Sequence, residues 1–314
     1  MAIERVKIKD FLIFKGELNL DFSPGINVII GANATGKSTL LKNLYRYANA
    51  VAGKGQWYKE TCEITATTKQ LAEVFDKPEK RGISTGAAGS VFDVNLDKKI
   101  ITGVVYIPEK DLLSNSKGLP ETAEFGKLQF TDYEIDIIKK ARVAPNKPKQ
   151  ELVKTIEKII GGEVLNDGES FFVKKTDMEI PVPFSMEASG FKKFALLAVL
   201  IRNEQISPGT VLFWDEPENS LNPELIPQMV EILFRLQRED VQIFLATHSE
   251  VLARYFNVNS NKSDRVQFYS LHTNDTGTIT ADVNKQFDRL IPNTLAAEPV
   301  RLYEKEIEKA FANG

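Results

Sequence analysis

The sequence predicts an α/β fold: a mixed-sheet core, an antiparallel β subdomain before about residue 108, and a helical lobe near residues 121 to 160. Three observations predict it. The apolar run Asn27-Val-Ile-Ile30 passes through a glycine-bearing loop into residues 38–51, where Leu40, Leu41, Leu44, Tyr45, Ala48 and Val51 recur at helical spacing. Helix and strand patterns alternate again from Ser189 onward. Between these two parts, residues 60 to 107 alternate with the period of strands and residues 131 to 160 with that of helices.

In chain order, Val6/Ile8 and Leu18/Leu20/Phe22 read as strands before the Pro24-Gly25 turn. The strand, loop and helix of residues 27–51 follow, and Gly53-Lys-Gly55 breaks the helix. Cys62 to Thr68, Val91 to Leu96 and Ile101 to Ile107 read as strands; Lys77 to Ser90 is a polar, glycine-rich loop, and Pro108 ends the third strand. Thr131-Asp-Tyr-Glu134 has the form of a capping box opening a helix to about Arg142, and a second helix covers about Gln150 to Ile160. Asp167-Gly168 suggests a type I′ turn joining Glu163–Leu165 to Phe171–Val173. A mostly apolar helix then runs from Ser189 to about Asn203, followed by the strand Val211–Trp214, a helix from about Pro223 to Arg238, the strands Ile243–Ala246 and Val266–Leu271, and a final helix from Arg301 to Phe311. No internal repeat is visible, so the chain reads as a single domain over 1–314, with subregions 1–54, 55–107, 108–188 and 189–314.

The bulk properties exclude several classes. A net charge of −3 over 314 residues gives no general attraction to nucleic acid or an anionic membrane. One cysteine, Cys62, rules out a disulfide framework or a cysteine zinc cluster, and reads as a strand residue in a reducing compartment. The N-terminal residues lack a signal-peptide core and no apolar run approaches the ~20 residues of a spanning helix, so the expected location is the cytoplasm, with no membrane partner.

The chemistry is carried by a few segments. Gly31-Ala32-Asn33-Ala34-Thr35-Gly36-Lys37-Ser38-Thr39 fits G-x-x-x-x-G-K-[ST], a phosphate-cradling loop. Its glycines let the backbone turn N–H groups toward phosphate oxygens; Lys37 adds a cation, and Ser38 a hydroxyl for Mg²⁺. Val211-Leu-Phe-Trp214 ends in Asp215-Glu216, the Walker B arrangement: Asp215 for the metal, Glu216 to orient or deprotonate a water. One strand later comes His248, one of two histidines, where an imidazole can hydrogen-bond a terminal phosphate. A lone histidine is more often structural, but this position favours function. His272 has no such context and reads as a surface residue. Asn261-Lys-Ser-Asp264 fits the guanine motif N-K-x-D, but it precedes a strand instead of ending one, and reads as a polar turn. The basic run around Lys139, Lys140, Arg142, Lys147, Lys149, Lys154 and Lys158 reads as a solvated helical face rather than a phosphate track, since aromatic stacking residues are missing from it.

The order of these segments, phosphate loop, Ser189-Gly190 at a helix start, Asp215-Glu216 and then His248, resembles the ABC-type ATPase superfamily of P-loop NTPases: Walker A, signature, Walker B and switch histidine. The resemblance covers most of the chain outside residues 55 to 180. Asn33 in the loop, Ile8-Lys-Asp-Phe11 with Phe14, and Trp214-Asp-Glu-Pro-Glu-Asn-Ser-Leu221 with Asn222-Pro223 are similar to the SMC/RecF/OLD-like branch and to stand-alone bacterial "AAA family" ATPases of phage-defence operons. Ile107-Pro-Glu-Lys-Asp-Leu-Leu113 resembles the segment at the Q-loop position, with Glu109 in place of glutamine. There are departures. The signature is Glu187-Ala-Ser-Gly-Phe-Lys192, Ala34 stands where glycine is usual, and the D-loop aspartate is either replaced by Asn222 or displaced to another position.

The resemblance implies ATP and Mg²⁺ as ligands and a head-to-tail homodimer in which Ser189 and Gly190 of one subunit cover ATP held by Gly31–Thr39 of the other. It further implies a separately encoded effector protein or nucleic acid gated by hydrolysis, in phage defence or DNA maintenance. Direct DNA binding like RecF is the alternative; a transporter nucleotide subunit is disfavoured by the missing coupling glutamine.

Overall fold

The computed structural model describes residues 2–52, 90–124, 131–145 and 150–312. The expected Cys62 strand, the Gly53–Gly55 break, the Lys77–Ser90 loop up to residue 89, and Lys147 and Lys149 lie outside the described residues.

The opening strands β1 (Ile3–Phe11) and β2 (Phe14–Asp21) pair antiparallel, and β4 (Val91–Leu96) adds to β1, giving a three-stranded sheet in the order β2-β1-β4. The main sheet has six strands, β12-β11-β3-β10-β9-β5. These are β3 (Ile26–Gly31), β5 (Gly103–Ile107), β9 (Thr210–Asp215), β10 (Gln242–Ala246), β11 (Val266–Thr273) and β12 (Ile279–Asn284). The pairings β11·β3, β3·β10, β10·β9 and β9·β5 are parallel, and β12 joins β11 antiparallel. A third sheet, β6-β7-β8, is a hairpin of β6 (Gly162–Asn166) and β7 (Phe171–Lys175) extended by β8 (Val182–Pro183).

Strands β3, β5, β9 and β10 are buried at every residue, which is why they read as continuous apolar runs rather than alternating ones. The alternation is present in which core each residue enters. Val211 and Phe213 pack with α1 (Lys37–Val51) and the β1–β2–β4 sheet, while Leu212 and Trp214 pack with the helices of the opposite layer. That layer holds α3 (Asp132–Arg142), α4 (Glu151–Ile160), α5 (Ser189–Arg202), α6 (Ile226–Arg238) and α7 (Glu250–Asn259), with the short α2 (Leu119–Glu124) leading into α3.

Asn27, fully buried in β3, joins the sheet to its surroundings. Its amide nitrogen donates to Ser23 O (3.0 Å) and Ile243 O (3.2 Å), and its oxygen accepts from Ser23 N (2.7 Å) and the Tyr269 hydroxyl (2.9 Å). All four hydrogen-bonding positions are used. Asn27→Ala is expected to cost about 3 kcal/mol, because it strands several buried partners at once; urea denaturation monitored by fluorescence checks this.

Most expected elements form. The Thr131 box is present: the Glu134 carboxylate accepts from Thr131 N (2.9 Å) and from its hydroxyl (2.6 Å). The hairpin forms too, but not with a two-residue type I′ turn. Asn166 faces Phe171 across the ladder, leaving a four-residue loop in which only Gly168 has positive φ. Asp167 braces it, accepting from Glu169 N (3.0 Å) and Ser170 N (2.7 Å). The final helix α8 (Thr294–Ala312) begins before Arg301, because Leu295 and Ala296 pack on the core and fix its first turn ahead of Pro299. His272 is not a surface residue. It is half-buried in β11, with Nδ1 at 3.1 Å from Ser270 O and Nε2 at 3.0 Å from the Thr280 hydroxyl of β12.

Candidate functional site

In a parallel sheet the loops leaving the carboxyl ends of adjacent strands gather on one edge. Here β3, β10 and β9 are neighbours, and Ala246 pairs with Ile29 on one side and Asp215 on the other, so three loops begin at the same level. The first is residues 31–36. Gly36 lies at φ 91°, where an added Cβ would meet Phe14 at 2.7 Å; Ala34 lies at φ 63°. The left-handed backbone at Ala34 explains why glycine suits that position, and alanine holds it at a cost of about 1 kcal/mol.

Lys37 opens α1, is 5% exposed, and donates to Gly31 O (2.9 Å) and Ala32 O (3.0 Å). Burial lowers its ammonium pKa to about 8, against the pull of Glu216, Asp215 and Glu218. The Ser38 hydroxyl donates to Asp215 Oδ1 at 3.0 Å, so the two expected metal ligands meet. Glu216 turns out of β9 at φ 50° and places Oε1 at 3.4 Å from His248 Nε2. Burial, then Glu109, Glu218 and Asp215, raise the Glu216 carboxyl above its ordinary value, with Lys37 opposing. Burial and Lys37 lower His248, so at neutral pH the contact is between a carboxyl group and a neutral imidazole.

Ser189 and Gly190 are placed elsewhere. Ser189 is the exposed first residue of α5, with Ala188 as the cap, and Gly190 packs against Leu221. Among the described residues, neither makes a hydrogen bond to residues 31–39. Ser189 lines a cavity of about 120 Å³ with Glu109, Lys193 and Asn219, beside the Glu216 turn. Asn222 is a cap whose side chain accepts from Glu224 N (3.2 Å). Asn261–Asp264 is a turn, as expected, and Asp264 receives a two-point contact from Arg238 (2.9 Å each). In the basic stretch Arg142 pairs with Glu121 and Lys154 with Glu151, consistent with a helical face.

Four contributors escaped the sequence reading. Tyr106 of β5 donates its hydroxyl to Asp215 Oδ2 (3.0 Å). Glu218 Oε1 accepts from the Thr247 hydroxyl (2.6 Å) and from His248 N (3.1 Å), tying the loop after β9 to the loop after β10. Lys193 of α5 donates to Glu216 O (2.7 Å), and burial lowers its pKa to about 8. Asn219 donates to Glu109, which brings Glu109 to the rim of the same group of carboxylates. Of these, Glu218 and Asn219 carried a signal in the sequence, as part of the resembling block Trp214–Leu221.

The donor set fits a small divalent cation. Ser38 Oγ and Asp215 Oδ1 are hard oxygens. Among the described residues no group of three or more His, Cys, Asp or Glu could hold a metal ion. Among the described residues no helix is long and apolar enough to cross a membrane.

Comparison with known proteins agrees with this geometry. Residues 138–254 match the family described as "AAA domain, putative AbiEii toxin, Type IV TA system", and residues 5–44 match a second family described as "AAA domain". The chain is 28% identical over 165 residues to the DNA replication and repair protein RecF of Oenococcus oeni, covering 47% of this chain and 43% of that one. It is 29% identical over 247 residues to the energy-coupling factor transporter ATP-binding protein EcfA2 of Geobacillus kaustophilus, covering 76% and 65%. The matched segments span less than half the length of the RecF relatives. Among solved structures, an SMC head bound to the C-terminal winged-helix domain of ScpA superposes with a TM-score of 0.56 at 12% identity, over 91% of this chain and 98% of that one. In motif order, sheet topology and these matches the chain is similar to ATPases of the ABC-type superfamily and of its SMC/RecF-like branch.

Proposed function

We propose that the chain binds and hydrolyses ATP with Mg²⁺, as one ATPase unit over residues 1–314, and dimerises around the nucleotide to gate a partner. The observation that carries this is the meeting of Ser38 with Asp215 (3.0 Å) and of Glu216 with His248 (3.4 Å) on the edge where residues 31–36 turn.

In this reading the backbone N–H groups of Gly31–Thr39 and the Lys37 ammonium bind the phosphates. Ser38 and Asp215 hold Mg²⁺, which when bound neutralises developing phosphate charge. Glu216 accepts a proton from the water whose oxygen bonds the terminal phosphorus. The bond to the leaving ADP oxygen breaks, and the proton leaves Glu216 afterwards. His248 hydrogen-bonds the terminal phosphate, and Glu218 holds the His248 backbone in place for this.

Ser189 and Gly190 sit away from the chain's own loop, with Ser189 exposed at a helix start, a placement that supports their use against ATP held by a second copy. The SMC head bound to ScpA supports a separately encoded protein partner. The reading includes a role in phage defence or DNA maintenance in the cytoplasm; the match to a family described by a toxin–antitoxin system supports the defence role. The RecF match supports a second reading, direct DNA binding, which a salt-dependent gel shift with and without ATP tests. The EcfA2 match keeps a transporter subunit as a third, tested by co-purification with a membrane protein.

The function itself is tested by phosphate release. The full chain with Mg²⁺ and ATP is expected to release phosphate, and EDTA to stop it. Failure to bind a fluorescent ATP analogue at millimolar nucleotide contradicts the proposal.

A further inference from the structure

Asp215 accepts one hydrogen bond on each carboxylate oxygen: Ser38 reaches Oδ1 and Tyr106 reaches Oδ2, both at 3.0 Å. The two donors come from opposite sides in the chain, Ser38 from the helix after β3 and Tyr106 from the strand on the far side of β9. Tyr106 is 1% exposed and cannot swing away. Its ring contacts Tyr45 (centroids 5.5 Å apart) and Tyr133 (4.8 Å), and Tyr45 is itself fixed by its hydroxyl donating to Asp136 (2.9 Å).

We propose that Tyr106 is a positioning residue that engages Asp215 Oδ2 and orients Oδ1 toward a cation, thereby favouring Mg²⁺ over Ca²⁺. The proposal rests on the reading that Ser38 and Asp215 hold the metal. Its chemistry is a matter of ligand count. Mg²⁺ demands a compact octahedron and takes carboxylates through one oxygen, whereas Ca²⁺ accepts more oxygens and readily takes both from one carboxylate. A carboxylate whose second oxygen accepts from a rigid phenol favours the first arrangement and weakens the second, since that oxygen keeps one lone pair and a fixed orientation. The partner of a metal ligand also fixes its orientation, and removing such a partner typically costs about 10- to 100-fold in metal affinity.

Tyr106→Phe deletes the hydroxyl and keeps the ring between Tyr45 and Tyr133. Binding of a fluorescent ATP analogue to the full chain, titrated with Mg²⁺ and separately with Ca²⁺, reads the effect without turnover. The half-saturating Mg²⁺ concentration is expected to rise about 10-fold or more, the Ca²⁺ value to change less or to fall, and binding in EDTA to match wild type. Tyr133→Phe, which keeps the ring contact and touches no carboxylate oxygen of Asp215, is expected to leave both titrations unchanged. Unchanged Mg²⁺ and Ca²⁺ titrations in Tyr106→Phe, with wild type responding normally to Mg²⁺, overturn the proposal alone. A parallel loss for both cations, or the same loss in Tyr133→Phe, also overturns it, since that is the signature of a general packing role. Nucleotide binding that ignores both cations in wild type overturns the metal reading beneath it.

Discussion

Glu216→Gln is expected to keep ATP bound while losing about 10²- to 10⁴-fold in turnover, the range a positioned general base contributes. The amide has the shape of the carboxylate but cannot take the water's proton. It keeps the φ 50° turn, the Lys193 contact to the backbone oxygen and the distance to His248. The charge state matters in two ways. As a base Glu216 must be ionised, and its raised pKa places the acid limb of the rate–pH profile above the ordinary carboxylate value. A raised carboxyl also means that the folded state holds the proton more tightly. Its stabilising contribution is present below the unfolded pKa and is lost as pH rises through the folded one. At neutral pH the ionised group therefore costs the nucleotide-free protein stability. Glu216→Gln is expected to melt slightly higher than wild type at pH 7 and to lose that advantage at acidic pH, as differential scanning fluorimetry over pH measures. A variant with wild-type phosphate release contradicts the assignment.

Lys37→Ala is expected to lose nucleotide binding before anything else, by about 100-fold, the scale of one or two charge-assisted hydrogen bonds. The ammonium is buried among backbone carbonyls at 2.9 and 3.0 Å. Burial lowers its pKa to about 8, so wild-type affinity is expected to decline as pH rises past that value; bound phosphates shift the decline upward. For stability the sign is opposite to that of Glu216. A depressed cation stabilises the fold above its unfolded pKa, and that contribution is lost as pH falls through about 8. At pH 7 the charged Lys37 burdens the nucleotide-free protein and is relieved by phosphate. Isothermal titration across pH 6.5 to 9 checks the affinity. Binding by Lys37→Ala equal to wild type removes the residue from the site.

The motif segments were legible because each is local. Gly31–Thr39 states its backbone needs within nine positions, and Val211–Glu216 carries strand and carboxylates together. What escaped is tertiary. Tyr106 lies 109 residues from Asp215, Glu218 lies 29 from Thr247, and Lys193 lies 23 from Glu216, so no spacing rule joins them. Tyr106 reads in sequence as one more buried strand residue. Helix α7 went unread although Ser249 caps it, accepting from Leu252 N (3.1 Å). It leaves β10 across three residues with no glycine or proline to mark a boundary. Strand β12 went unread although Ile279, Ala281 and Val283 alternate with polar residues as a strand requires, because the alternation runs for only six residues. The hairpin shows the opposite limit. Asp167-Gly168 correctly signals reversal, yet strand register fixes a longer loop than the dipeptide suggests.

In the proposed mechanism Gly31–Thr39, Asp215, Glu216 and His248 form half of an ATP site that a second copy completes. Light scattering of Glu216→Gln in saturating Mg²⁺ and ATP tests it most directly. A particle of twice the monomer mass that returns to monomer when EDTA is added is expected. Monomer alone under those conditions, with ATP bound, contradicts it.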